Sequence, residues 1–154
     1  MVLVLIVVVV AGWAVYYFWL GASVPQDYQQ GMSFIENYEK LMREDIYGGK
    51  TPEETLKLFV EALKKEDVEL ASKYFMLDDE GSRERWVERL GELKEKKLLE
   101  QMAEDIEKKA KPDLESRLYE SDFNFVVLKE DGSIGAEINM ELNKFSGLWK
   151  IESL

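Results

Sequence analysis

Residues 51–75 read TPEETLKLFVEALKKEDVELASKYF. Thr51 is placed as an N-cap, Pro52 as the first helical residue and Glu54 as the third, which is the capping-box order. Leu56, Phe59, Val60 and Leu63 then form one apolar stripe, and Lys64-Lys65 suits the negative end of the helix. A second short helix is expected from about Asp67 to Tyr74, with Val68, Leu70, Ala71 and either Tyr74 or Phe75 turned inward. Two helices with one apolar face each need a further layer to bury those faces.

That layer is expected downstream. Asp78-Asp79-Glu80-Gly81 breaks the helical pattern, and Ser82 is placed to cap a third helix with Trp86, Leu90 and Leu93. Its continuation carries Leu98, Leu99, Met102 and Ile106, and Lys111-Pro112 ends the helical region. From Arg117 the period is that of strands. Phe123, Phe125 and Val127 alternate with Asp122, Asn124 and Val126, and Asp131-Gly132 signals a hairpin. The returning strand sets Ile138, Met140 and Leu142 on one face against Glu137, Asn139 and Glu141, so one face is expected to be wet. Ser146-Gly147 makes the next turn, and Leu148 to Leu154 is the last strand, with Trp149 and Ile151 on one side. Helices first and an antiparallel meander second define the α+β class.

Upstream, residues 1–20 read MVLVLIVVVVAGWAVYYFWL without a charged side chain. As a helix this run is about 30 Å long, the hydrocarbon thickness of a bilayer. Trp13, Tyr16, Tyr17 and Trp19 crowd its C-terminal end as a membrane-interface belt does. A cleaved signal would carry a basic start and a shorter apolar core, so the run reads as an uncleaved anchor. The flanking Gln26, Asp27 and Glu36 are neutral or acidic and the first basic residue is Lys40, which favours an extracytoplasmic C-terminal part. Residues 21–50 are expected to hold a short joint and a juxtamembrane amphipathic helix along Tyr28, Met32, Ile35, Tyr38, Met42 and Ile46, stopped by Gly48-Gly49. Residues 51–154 form the folded domain.

Composition removes several function classes. The chain has 31 acidic and 20 basic residues, a net charge of −11, which argues against nucleic acid as a partner. It has no cysteine and no histidine, so disulfides, thiolate chemistry and the commonest general base and metal ligand are absent. No catalytic, metal or cofactor site is expected. Asp78, Asp79 and Glu80 lack the alternating oxygen spacing of a calcium loop, and Tyr74, Tyr119 and Asp122 read as structural or surface residues rather than as an acid–base set.

Thr51 to Phe75, together with the terminal Gly147-Leu148-Trp149-Lys150-Ile151, resembles the NTF2-like (cystatin-like) domains of small exported bacterial proteins. The resemblance implies three or four helices packed on a curved antiparallel sheet of three or four strands, the fourth strand falling in Asp113 to Tyr119. It also implies a pocket between helix and sheet, with Phe59, Leu63, Tyr74, Phe123, Phe125, Met140 and Trp149 as candidate lining. The functional expectation is a single-pass cell-membrane protein displaying a non-catalytic interaction or assembly module, its partners the bilayer and an envelope protein or a second copy. The alternatives are a site for a small apolar ligand, or an assembly subunit similar to those of type IV secretion machines.

Overall fold

A computed structural model of the chain describes residues 26–77, 82–113 and 120–154. The apolar run with Trp13, Tyr16, Tyr17 and Trp19, the side chain of Tyr28, the acidic cluster Asp78, Asp79 and Glu80, and Tyr119 lie outside the described residues. Among the described residues no helix is long and apolar enough to cross a membrane.

Among the described residues the elements are five helices and a four-stranded antiparallel sheet. The helices are α1 (Gln26–Glu44), α2 (Pro52–Lys64), α3 (Val68–Ser72), α4 (Ser82–Glu95) and α5 (Leu99–Lys109). The strands are β1 (Ala110–Pro112), β2 (Asp122–Leu128), β3 (Ile134–Asn143) and β4 (Leu148–Ser153), paired in chain order. Leu41–Leu154 is one compact unit, and α1 before Leu41 belongs to a separate unit.

Helix α2 forms as its sequence dictates. Thr51 Oγ1 accepts the Glu54 N–H at 3.2 Å, and Glu54 reaches back to the Lys50 N–H at 2.7 Å, one residue before the usual partner of a capping box. The helix buries Leu56, Phe59, Val60 and Leu63 against α5 and β4. It ends in a Schellman motif, the Asp67 N–H bonding the Ala62 carbonyl and the Glu66 N–H the Leu63 carbonyl, with Glu66 at φ 52°.

The helical stretch after Ser82 is two helices rather than one continued helix. At its break the Leu98 N–H bonds the Leu93 carbonyl and the Lys97 N–H the Lys94 carbonyl. Lys97 takes φ 57°, which turns the chain so that α5 can lay Leu99, Ala103 and Ile106 into the core. Leucine and lysine give no sequence sign of such a stop, because glycine is the usual residue there.

A fourth strand lies at Ala110–Pro112, inside what reads as the helix end, and of the stretch expected to hold one, Asp113 to Tyr119, all but Asp113 lies outside the described residues. It pairs with Val127, Val126 and Phe125, and the Asp113 N–H continues the pairing to the Asn124 carbonyl at 2.9 Å. Pro112 cannot donate to a ladder and is tolerated because β1 is an edge strand. Beyond β4 the sheet gains a further contact, since the Ile151 N–H bonds the Tyr74 carbonyl and the Met76 N–H the Ile151 carbonyl.

The core fills the space between α2, α5 and the inner sheet face with Phe125, Ile138, Met140 and Ile151. Phe75 is its hinge-point: it meets Phe59 edge-on at 5.4 Å and stacks on Trp86 at 3.7 Å. Both Tyr74 and Phe75 are buried, where the sequence suggests one or the other.

Candidate functional site

An open groove of about 690 Å³ runs between α4, α5 and the hairpin end of β2 and β3. Its volume lies within the range of small-molecule sites, about 300–1,000 Å³. Leu90, Ile106 and Ile138 form the buried floor, and Trp86, Leu93 and Met102 extend it along the helices. On the sheet side Val127, Leu128 and the small Gly135 and Ala136 leave the groove open, and Leu98 stands at its lip, 39% exposed. Along this side β3 carries glycine and alanine instead of large side chains.

Charge stands at the rim, on exposed and partly exposed side chains. Asp105 is paired with Lys109 at 2.7 Å, and Glu92 with Lys96 at 3.5 Å. Arg89 lies over the Trp86 ring, 5.3 Å from its centroid. The Lys109 ammonium is held above the usual lysine range by its hydrogen bond to Asp105.

None of the seven expected lining residues lines this groove. Phe59, Leu63, Phe125 and Met140 are buried in the solid core, and Tyr74 is buried beside β4, its hydroxyl pushed up by burial and by Glu61. Phe123 and Trp149 pack on each other edge-on at 6.3 Å. Phe123 also meets Phe125, at 5.0 Å between ring centroids. The groove opens instead next to small residues, and Gly135-Ala136 within a strand is the signal that could have located it. Asp122 is exposed at the start of β2 and meets Glu141 across the strands.

A second constellation has no counterpart in the sequence reading. Lys150, fully buried on the sheet face opposite Trp149 and Ile151, gives all three ammonium protons to acceptors. These are Asp45 Oδ2 at 2.7 Å, the Tyr47 carbonyl at 2.8 Å and the Lys73 carbonyl at 2.6 Å. Burial pushes the Lys150 ammonium below the ordinary lysine value, Asp45 opposes the fall, and nearby Arg83 adds to it. With every donor engaged, this amine is a clamp and not a nucleophile. Around it the Asn143 amide donates to the Met42 carbonyl at 2.8 Å, and Thr55 Oγ1 accepts from the Gly49 N–H and donates to the Trp149 carbonyl. A cavity of about 280 Å³ beside the clamp is lined by Leu41, Glu44, Asp45, Tyr47, Leu77, Arg83 and Glu84. Among the described residues no group of acidic side chains is arranged to hold a metal ion.

No protein family, curated protein or solved structure gives a match to this chain. The fold itself defines the class, an α+β domain of helices and a four-stranded antiparallel meander, an arrangement compatible with the NTF2-like type.

Proposed function

We propose that this chain is a non-catalytic binding module of NTF2-like type, tethered to the cell membrane by residues 1–20 with its domain on the extracytoplasmic side. It holds an apolar ligand in the groove between α4, α5 and the β2–β3 hairpin. The observation that carries this reading is the groove: an apolar floor of useful volume, bordered by paired charges and lacking a buried acid or base at its floor. The uncharged run and its aromatic end support the tether.

The test uses the chain's own methionines. With ¹³C-methyl methionine in the full chain, held in lipid nanodiscs, Met102 reports on the groove and Met140 on the solid core. Added dodecanol is expected to move the Met102 methyl signal saturably and leave Met140 in place, and Ala136→Phe is expected to suppress the response. Joint, unsaturable drift of both signals, or no movement of Met102, overturns the reading.

A second reading, an assembly module that docks on an envelope protein or on another copy, is favoured by one observation: Met32, Phe34 and Ile35 of α1 are 42%, 56% and 50% exposed. Cysteine crosslinking from Phe34 in the native membrane tests it. A discrete adduct supports assembly, and its absence removes this reading.

A further inference from the structure

The groove's floor and rim differ in chemistry, and the difference selects a ligand. The buried lining is hydrocarbon, Leu90, Ile106 and Ile138 at the base, and the half-buried Trp86 and Met102 extend it along the wall, while the half-buried Asp105 and Lys109 of the lining are engaged with each other. A ligand with polar groups along its length would leave them without partners there. Polar recognition is confined to one end or edge of whatever lies in the groove.

At the rim the carboxylates are already used. Asp105 is held by Lys109 and Glu92 by Lys96. Arg89 and Lys129, which also line the groove, have no carboxylate partner among the described residues. Two cations outside the ion pairs of the described residues, both beside an apolar cleft, stand out in a chain of net charge −11. Both are also restrained. Arg89 rests on the Trp86 ring, and the Lys129 stem crosses Gly135 so closely that a Cβ there would come within 3.1 Å of Lys129 Cγ. Gly135 therefore lets the lysine stem lie along the groove edge while its ammonium reaches water.

We propose that the groove binds a single-chain carboxylate amphiphile, a fatty acid anion, with its alkyl chain along the α4–α5 floor and its carboxylate between the solvent and the Arg89 and Lys129 cations. The proposal rests on the binding-module reading and narrows it to one ligand class. Arginine supplies a fork that matches a carboxylate, and lysine a point charge that follows it. A cationic amphiphile would meet the same two side chains with repulsion.

The experiment compares dodecanoate, dodecanol and dodecylamine on the full chain in neutral-lipid nanodiscs at pH 8, reading the Met102 methyl signal, in the wild type and in Arg89→Gln/Lys129→Gln. Dodecanoate is expected to half-saturate Met102 at roughly one tenth of the concentration that dodecylamine needs, with dodecanol between them. The double variant is expected to erase that order and keep the dodecanol response, because the floor is intact. Comparison of the two proteins at equal total amphiphile cancels differences in partition into the lipid. Equal responses to all three probes in the wild type, or an unchanged order in the double variant, overturn the carboxylate assignment and leave the apolar groove standing. Absence of a Met102 response to any probe overturns the groove reading as well.

Discussion

Replacement of Asp45 by alanine tests how residues 41–50 are held within the Leu41–Leu154 unit. Lys150 is completely buried, and among the described residues Asp45 is the one carboxylate its ammonium touches, at 2.7 Å. The two remaining acceptors, the Tyr47 and Lys73 carbonyls, satisfy hydrogen bonds but supply no charge. Removal of one partner from a buried ion pair costs about 3–5 kcal/mol, because the other charge stays buried and uncompensated. That is a large part of a domain's whole stability of about 5–15 kcal/mol, and it corresponds to a fall in Tm on the order of 10–20 °C. The pH dependence has a definite sign. Lys150 in the folded protein lies below its ordinary value, so between the folded value and about 10.4 the unfolded chain binds the extra proton and stability rises with pH. Without Asp45 the folded value drops further and the window widens. The deficit of Asp45→Ala is therefore expected to shrink as pH is raised from 7 to 10. Thermal unfolding of the full chain, followed by near-ultraviolet circular dichroism at both pH values, reads this directly. An Asp45→Leu/Lys150→Met pair is expected to recover most of the loss, since apolar residues of similar size replace buried ion pairs at little cost. A fall in Tm below about 3 °C, or a deficit that stays constant with pH, refutes the clamp.

Four further outcomes follow from the same geometry. A chain begun at Thr51 loses Asp45 and the Tyr47 carbonyl together, and is expected to show no cooperative unfolding transition by circular dichroism. Gly48→Ala places a Cβ 2.5 Å from the Trp149 carbonyl oxygen at φ 143°, and is expected to destabilise by about 1–3 kcal/mol in urea titrations. Lys97→Gly relieves a left-handed residue at the α4–α5 break and is expected to raise stability by about 0.5–1 kcal/mol in the same assay. Glu141 is held above the usual carboxylate range by burial and by Glu152 and Asp122, so its contribution is present at low pH and lost as pH rises through its folded value. Glu141→Gln is expected to flatten that loss in a pH series of Tm measurements.

Elements whose signals are local were legible in the sequence. The Thr51-Pro52-Glu54 cap, the Leu56-Phe59-Leu63 stripe and the Asp131-Gly132 hairpin are each written within a few residues, and each forms, though the Glu54 carboxylate takes the Lys50 N–H in place of that of Thr51. What escaped depends on partners far apart in the chain. Gly48-Gly49 reads as a helix stop, yet α1 ends at Glu44, where Asp45 turns its carboxylate to Lys150 and accepts the Tyr47 N–H. Gly48 serves the close approach to β4 and Gly49 the close approach to Glu54 and Thr55 of α2, and the Trp149 N–H bonds the Gly49 carbonyl at 2.9 Å. Lys150 alternates with Trp149 and Ile151 and so reads as wet, and its site is covered by groups distant in the chain, Asp45, Tyr47 and Lys73. The amphipathic helix was expected to carry one apolar face as far as Ile46, but Met42 is 3% exposed while Ile46 is 76% exposed, because the chain leaves the helix between them. The groove was missed for a related reason. Large aromatics suggest a lining when they are counted along a strand, but they pack against each other and α2, and space remains where Gly135 and Ala136 leave it.

The most direct test of the groove as the binding site is photocrosslinking in living cells from benzoyl-phenylalanine placed at Leu98, on the groove's lip, with Glu137 on the opposite sheet face as control. Intact-mass analysis of the recovered full chain is expected to show a discrete adduct from position 98 and none from position 137. Adducts of equal yield from both positions, or an unmodified chain from position 98, contradict the account.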